Sequence, residues 1–167
     1  MPAAPIHVGI GGWDYDPWRG TFYPPGLPKA KQLEHAGSVL TAIEINATHY
    51  KLQKPELFRR WGESVPDGFT FAIKASRFCT NRRVLAEAGE GLDRFLRQGF
   101  TELGPKLGPI LWQFKPTKQF DPADFGAFLR LLPAEQDGVR LRHALEVRHE
   151  SFRTPDFIAM ARDAGAA

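Results

Sequence analysis

Short runs in which apolar and other residues alternate recur along the chain, separated by stretches with helical periodicity. Alternation with a period of two is typical of strands, and apolar residues three or four positions apart are typical of amphipathic helices. The predicted strands are His7–Ile10, Thr41–Ala47, Phe69–Ala75, Ile110–Phe114 and His143–Arg148. Strands that alternate with helices imply right-handed crossovers, so the pattern predicts a parallel α/β sheet.

Prolines and capping residues mark where the intervening helices begin. A proline is favoured at the first helical position, and Asp or Thr is favoured just before it. The predicted starts are Pro28, Pro55, Asp121-Pro122 and Thr154-Pro155. An apolar stripe from Leu92 to Leu103 predicts a further amphipathic helix, and Gly108-Pro109 is expected to end that region. Gly165 is expected to stop the last helix.

Polar residues near the ends of four of the five predicted strands favour a barrel over an open doubly wound sheet. A parallel sheet covered on both faces usually has continuous apolar strands. Here one face of each of these strands is apolar, whereas the other becomes polar towards the carboxyl end. In an eight-fold barrel of about 250 residues, that end is where active sites lie. We therefore predict that the following residues point to one common site: Glu44, Asn46, Lys74, Gln113, Glu146 and Arg148.

The loop after the first predicted strand contains an unusual number of large aromatic residues. Loops are usually polar, because their backbone faces water. The aromatics therefore predict either a hydrophobic plug at one end of the core or a plug that also lines a ligand site. The residues in question are Trp13, Tyr15, Trp18, Phe22 and Tyr23. The glycines of this segment do not make a dinucleotide-binding fingerprint, because Asp14 stands where a third glycine would be needed.

Composition narrows the class of protein further. The chain has 167 residues, of which 43% are hydrophobic and 25% charged, as expected for one globular domain. Its net charge of +3 permits an anionic ligand. Cys79 is the sole cysteine and is interpreted as structural, which fits a reducing cytoplasm. We find no signal peptide and no apolar run long enough to span a membrane, so no membrane association is predicted.

Glu44, Lys74 and Glu146 are the candidate catalytic residues. Two carboxylates could perform acid/base work, and a lysine could act as base, nucleophile or anion ligand. The alternative is that these charges neutralise one another in a structural network. A metal site formed with His49 and His149 is conceivable, but the usual short ligand motifs are missing, so we predict no metal. The residues do not identify a cofactor.

Five motifs give the chain a resemblance to the YecE-like family, a domain of unknown function (number seventy-two) with a TIM-barrel-like fold. They are Gly-Trp-Asp-Tyr-x-x-Trp-x-Gly-x-Phe-Tyr-Pro at 12–24, Ile-Glu-Ile-Asn-x-Thr-x-Tyr at 43–50, Phe-x-Phe-x-x-Lys-Ala-Ser at 69–76, Leu-Gly-Pro-Ile-Leu-x-Gln-Phe at 107–114 and Glu-x-Arg-His-x-Ser-Phe at 146–152. The resemblance implies the fold and no settled reaction. Our substrate-binding candidates are Trp13, Tyr15, Trp18, Tyr23, Asn46, Tyr50, Gln113, Arg148 and His149.

The resemblance also implies a barrel longer than this sequence. We expect one domain over residues 1–167, truncated after the fifth of eight β/α units, with two unpaired sheet edges that favour self-association when the chain is expressed alone. The favoured function is an enzyme that acts on an anionic or polyhydroxy, sugar- or nucleotide-like substrate by acid/base chemistry at the carboxyl ends of the strands. Nucleic-acid binding or processing and a non-catalytic partner-binding barrel stay open as alternatives.

Overall fold

Seven strands and seven helices form in the computed structural model, which describes residues 6–167. The strands are β1 (Gly9–Gly11), β2 (Ala42–Ile45), β3 (Thr70–Lys74), β4 (Leu107–Gln113), β5 (Glu135–Gln136), β6 (Val139–Arg140) and β7 (His143–Glu146). The helices are α1 (Gln32–Val39), α2 (Ala47–Tyr50), α3 (Pro55–Glu63), α4 (Arg77–Thr80), α5 (Gly89–Leu96), α6 (Pro122–Arg130) and α7 (Pro155–Asp163). Short 3-10 segments lie at Asp16–Trp18, Lys29–Lys31, Leu85–Ala88, Phe100–Lys106 and Glu150–Phe152.

Strands β1, β2, β3, β4 and β7 form one sheet in that order, and every neighbouring pair is parallel. The predicted α/β class and its five parallel strand–helix units are therefore confirmed. The sheet is open, with β1 and β7 at its two edges. Residues 1–5 of the predicted domain lie outside the described residues, as does that part of the N-terminus for which no signal peptide is predicted.

The alternation predicted for the strands places one face of the sheet in the hydrophobic core. Ile43 and Ile45 of β2 are buried, as are Ile73 of β3 and Trp112 of β4. Trp112 packs edge-on against Phe128 of α6, with ring centroids 5.5 Å apart. Residues of the opposite parity on the same strands are only half-buried, so the second face of the sheet is the one that solvent can reach.

Four helix boundaries form as the sequence predicts, the first being the start of α3 at Pro55. The Asp121 carboxylate accepts hydrogen bonds from the N–H groups of Ala123 and Asp124 and caps α6. The Thr154 hydroxyl accepts the N–H of Phe157 and caps α7. After α7, Gly165 adopts a φ of 66°, a left-handed conformation that favours glycine and ends the helix.

The predicted helix over Leu92–Leu103 is wrong, because the stripe is divided between α5 and a separate 3-10 segment. Gly99 breaks it with a φ of 93°. A Cβ atom at this position would lie 2.6 Å from Cγ of Pro55, so glycine is needed for contact with the start of α3 as well as for the turn. This contact joins residues far apart in sequence, and periodicity alone does not register it.

The interpretation of Gly108-Pro109 as the end of an element is also wrong, since both residues lie inside β4. Between the pairs Phe71–Leu107 and Ile73–Ile110, β4 contains one residue more than β3, which is a β-bulge. A Cβ on Gly108 would lie 2.7 Å from the carbonyl oxygen of Phe71. Glycine and proline in a strand therefore mark a bulge and a close backbone approach here.

A two-stranded hairpin before β7 was not predicted. Strands β5 and β6 pair antiparallel around Asp137-Gly138, which have φ values of 51° and 76°. Asp-Gly between two short extended runs is a common signal for a tight hairpin turn. The signal was present in the sequence, but the runs of two residues on either side were too short to show alternation.

Cys79 is buried and carries a free thiol. Burial raises the pKa of this thiol to about 12, although the positive charge of Arg82 acts in the opposite direction. A thiol with so high a pKa is a poor nucleophile, because the thiolate is the reactive form. Within residues 6–167, no helix is both long and apolar enough to cross a lipid bilayer.

The open edges of the sheet lead to a testable expectation about association. On its outer side β1 has no strand partner among the described residues, and at the other edge Ala167 alone pairs with β7 through hydrogen bonds to His143 and Leu145. Unpaired strand edges invite pairing with another chain. We expect the 167-residue chain to self-associate as its concentration rises, which sedimentation velocity measures. Val8→Lys, which charges an exposed position beside β1, should weaken that association. A concentration-independent monomer would contradict the expectation.

Candidate functional site

Glu44 and Lys74 meet on the half-buried face of the sheet. Glu44 is the third residue of β2, and Lys74 ends β3, so both side chains project from neighbouring strands near their carboxyl ends. Nζ of Lys74 lies 3.4 Å from Oε1 of Glu44, and their side chains are 17% and 23% exposed. An ion pair at this depth keeps access to a ligand while being partly shielded from water.

Glu146, at the end of β7, is the centre of a second group on the same edge. The side-chain amide of Gln113 donates a hydrogen bond to Oε2 of Glu146 over 2.7 Å. The guanidinium of Arg148 donates to Oε1, also over 2.7 Å. Gln113 and Glu146 are direct neighbours in the parallel register of β4 and β7, which explains why their side chains meet.

The surroundings of Glu146 favour its ionised form. Burial acts to raise the pKa of this carboxyl, but the hydrogen bonds from Gln113 and Arg148 and the charges of Arg148 and Lys74 together lower it below its usual value. Both groups lie near the carboxyl ends of neighbouring parallel strands, one on β2 and β3 and the other on β4 and β7. Glu44, Lys74, Gln113, Glu146 and Arg148 therefore form one cluster, which we call the carboxylate cluster.

Asn46 lies beside the carboxylate cluster at the start of α2. A Cβ atom built on Gly12 would come within 3.3 Å of Nδ2 of Asn46, and one built on Gly11 would lie 4.0 Å from Oε1 of Glu44. Gly12 also has a φ of 81°, which turns the chain sharply after β1. The two glycines thus leave room over the cluster. The predicted convergence of the polar strand residues holds for the geometry, and their chemical roles stay predictions.

The aromatic loop divides into an accessible part and a buried part. The Tyr15 hydroxyl donates a hydrogen bond to the carbonyl of Gly11, and its ring packs on Trp18 with centroids 4.5 Å apart. Tyr23 is fully buried, and its hydroxyl donates to the carbonyl of Trp13. Trp13 in turn packs on Trp61 of α3. Trp13 and Tyr23 therefore occupy the positions of a hydrophobic plug, whereas Tyr15 lies next to Gly12 and Asn46.

Tyr50 and His149, also candidates for substrate binding, make other contacts. Tyr50 is 62% exposed, and the guanidinium of Arg77 lies 6.0 Å from the centre of its ring. Nδ1 of His149 is 2.9 Å from the hydroxyl of Ser151, in the turn before α7. Among residues 6–167, no side-chain hydrogen bond or ion pair joins Tyr50 or His149 to the carboxylate cluster. Sequence reasoning did not single out Arg77, although it stands three positions after Lys74 beyond the same strand.

His49, which was considered as a metal ligand, makes a structural contact between two elements. Nδ1 of His49 lies 2.8 Å from the carbonyl oxygen of Ala75, which ties α2 to the end of β3. Among the residues described, no three side chains of His, Cys, Asp or Glu are grouped closely enough to hold a metal ion.

The lowered pKa of Glu146 should depend on Gln113. Gln113→Leu keeps a similar volume but removes the hydrogen bond that favours the carboxylate, so the pKa of Glu146 should rise. Carbon-detected NMR titration of the glutamate carboxyl groups measures this directly. In the parent protein, the stabilisation from ionised Glu146 is fully present above its unfolded pKa near 4.5 and is lost as the pH falls through the lower folded pKa.

Gln119→Leu provides the matched control for that titration, because Gln119 is an exposed glutamine outside the carboxylate cluster. It should leave the pKa of Glu146 unchanged. An unchanged Glu146 titration in Gln113→Leu as well would mean that the amide contributes nothing to the ionisation of this carboxyl.

Comparison with known proteins finds the family that the five sequence motifs resemble. The family described as "Protein of unknown function DUF72" matches residues 7–167. The UPF0759 protein YecE of Escherichia coli is 29% identical over 150 residues, which cover 88% of this chain and 50% of that protein. The UPF0759 protein YunF of Bacillus subtilis is 27% identical over 159 residues, covering 91% of this chain and 54% of that one. The chain thus spans about half the length of the curated relatives that it matches.

Solved structures of similar proteins show the same arrangement of strands and helices. A DUF72 family protein from Thermotoga maritima superposes with a TM-score of 0.74 at 22% identity, over 96% of this chain and 62% of that one. Another from Enterococcus faecalis gives a TM-score of 0.72 at 21% identity, over 96% and 58%. Because the family match extends over nearly all of the sequence, this chain belongs to the DUF72 family.

Proposed function

We propose that the protein is an enzyme that acts on an anionic or polyhydroxy substrate by acid/base chemistry at the carboxylate cluster. The observation that supports this most is the Glu44–Lys74 ion pair, 3.4 Å apart, on the same accessible face of the sheet as Glu146 and its hydrogen-bond donors. Charged groups at the carboxyl ends of parallel strands are typical of active sites.

The three candidate catalytic residues would have different tasks. Glu146 is held as a carboxylate, so it suits the acceptance of hydrogen bonds from substrate hydroxyls and is a poor proton donor near neutral pH. Lys74 offers an ammonium group to a substrate oxygen or carboxylate. Glu44 has Lys74 as its one ion-pair partner in the described part of the chain, which leaves an oxygen to exchange a proton with substrate.

Neighbouring groups would position the substrate. Asn46 and Gln113 can hydrogen-bond hydroxyl groups, and Arg148 can hold an anionic group while it fixes Glu146. Tyr15 and Trp18 form an aromatic pair beside Asn46 on which the apolar side of a sugar-like ring could pack. We further propose that the protein works in the cytoplasm, where its single, buried Cys79 needs no disulfide partner.

A binding experiment tests the proposal on the 167-residue chain. Calorimetric titration with a set of sugar acids and polyols, with D-glucuronate as the first probe, should reveal saturable binding. Glu44→Gln should weaken that binding about tenfold, because a hydrogen bond that a substrate hydroxyl donates to a carboxylate contributes roughly 1.5 kcal/mol. Glu34→Gln, at an exposed glutamate on α1, is the matched control and should have no effect.

Failure of every small probe, together with steeply salt-dependent binding of a single-stranded oligonucleotide, would favour the nucleic-acid alternative. The specific observation behind that alternative is the exposed pair Tyr50 and Phe78, whose rings both lie near the guanidinium of Arg77, at 6.0 and 5.4 Å. Exposed aromatics beside an arginine can stack bases.

A further inference from the structure

A cavity separate from the carboxylate cluster lies between the segments that follow β3 and β4. Its volume is 440 Å³, and residues 80–83, 115, 117–119 and 121 line it. The lining contains four cationic side chains and one carboxylate. So strong an excess of positive charge in a concave site attracts anions.

Two of the four cationic side chains bind other groups of the protein, and two do not. Lys118 pairs with Asp124 and donates to the carbonyl of Arg83, and Nε of Arg82 donates to the carbonyl of Phe78. The side chains of Arg83 and Lys115 are exposed and have no hydrogen-bond or ion-pair partner within residues 6–167. Arg82 and Lys118 therefore stabilise the walls of the cavity, while Arg83 and Lys115 remain available to a ligand.

Thr80 gives an independent indication of a ligand. This residue lines the cavity at the end of α4 and is only 1% exposed. Its Oγ1 is one of three buried side-chain atoms that lack a hydrogen-bond partner in the described chain. A buried hydroxyl without a partner costs free energy, so such groups usually have a function or a missing partner.

We propose that this cavity binds a compact tetrahedral oxyanion, namely a phosphate group, either free or as a monoester. Arg83 and Lys115 would neutralise its charge, and the hydroxyl of Thr117 would donate to its oxygens. The buried hydroxyl of Thr80 would donate after its side chain turns towards the cavity. The one carboxylate in the lining, Asp121, is occupied by the capping of α6 and leaves the cationic side of the cavity free. The site is independent of the proposed acid/base chemistry.

Titration of the 167-residue chain with inorganic phosphate, followed by phosphorus NMR and calorimetry, tests the proposal. The parent protein should bind one phosphate with a dissociation constant in the millimolar range. Arg83→Gln and Lys115→Gln should each weaken binding about tenfold, and Thr80→Val should weaken it several-fold while preserving shape. Arg142→Gln removes the same charge just before β7, at the other end of the sheet, and should leave the affinity within about twofold.

Three outcomes would overturn the proposal. One is the absence of saturable binding. Another is an equal loss of affinity in Arg142→Gln, which would indicate an adventitious ion attracted by general surface charge. The third is much tighter binding of a short oligothymidylate than of both phosphate and glycerol phosphate, which would assign the cavity to a polynucleotide backbone. Since Arg83 and Lys115 are exposed, their variants should fold even if Thr80→Val does not, so the test stays decisive.

Discussion

Replacement of Trp112 by alanine is expected to lower the free energy of unfolding by about 3–5 kcal/mol, as deletion of a large buried aromatic side chain usually does. Trp112 is completely buried on the core face of β4. Its ring contacts Phe95 of α5 and Phe128 of α6, with centroids 5.7 and 5.5 Å apart. The cavity would open where the sheet meets two helices at once, so neither helix alone could fill it. Urea denaturation of both proteins measures the loss.

Trp112→Phe separates the packing of Trp112 from its hydrogen bond. Nε1 of Trp112 donates to Nδ1 of His143 over 3.0 Å, and Nε2 of His143 lies 2.8 Å from the carbonyl oxygen of Pro133. Phenylalanine retains most of the ring but removes the donor. Its cost should therefore be clearly smaller than that of Trp112→Ala. Equal losses in the two variants would show that the indole N–H, and not the volume of the ring, accounts for the stabilisation.

His143 adds a dependence on pH that the same measurements can detect. Burial lowers the pKa of His143 below its usual 6.5, although the hydrogen bond with Pro133 acts in the opposite direction. A lowered folded pKa means that the stabilisation is present above pH 6.5 and is lost as the pH falls through the folded pKa. In Trp112→Phe, Nδ1 of His143 lacks a donor and accepts a proton more easily, so its unfolding free energy should fall less steeply with acid.

The core could be predicted from the sequence because strand alternation is a local property. Ile43, Ile45 and Trp112 follow a period of two within their own strands, and that period decides which side chains face the helices. The bulge at Gly108 could not be predicted in the same way. There Gly108 lies close to the carbonyl of Phe71, which belongs to another strand. A close contact between two strands does not change the hydrophobic periodicity of either one.

The candidate site shows the same division between local and long-range information. Parity and strand-end position placed Glu44, Lys74 and Glu146 on one face, and the parallel register brought them together. The sequence did not predict which side chains these residues would contact. The pairing of Gln113 with Glu146 depends on the alignment of β4 and β7, and the arrangement of Arg77 beside Tyr50 depends on how α2 and α4 meet in space.

The proposed role of Lys74 predicts that Lys74→Met will strongly weaken ligand binding with little loss of fold. Methionine keeps the unbranched side chain but removes the ammonium group that we assign to the substrate. The affinity for D-glucuronate, or for whichever small probe binds, should fall about 10- to 100-fold, as expected for a lost charged hydrogen bond. The long ion-pair distance of 3.4 Å and the partial exposure of Glu44 argue that the fold depends little on the pair.

Lys106→Met is the control that gives the Lys74 result its meaning. Lys106 is about as buried as Lys74, with 14% of its side chain exposed, but it ends the 3-10 segment just before β4, away from the carboxylate cluster. Its ammonium group donates to the carbonyls of Gly62 and Val65 over 2.8 and 2.7 Å, so its removal should lower the melting temperature and leave ligand affinity unchanged. If Lys74 instead only balances buried carboxylates, its replacement should cost about 3–5 kcal/mol of stability and leave binding intact. Thermal melts beside binding isotherms for the parent and both variants distinguish the two roles, since each role predicts a loss in the measurement that the other leaves unchanged.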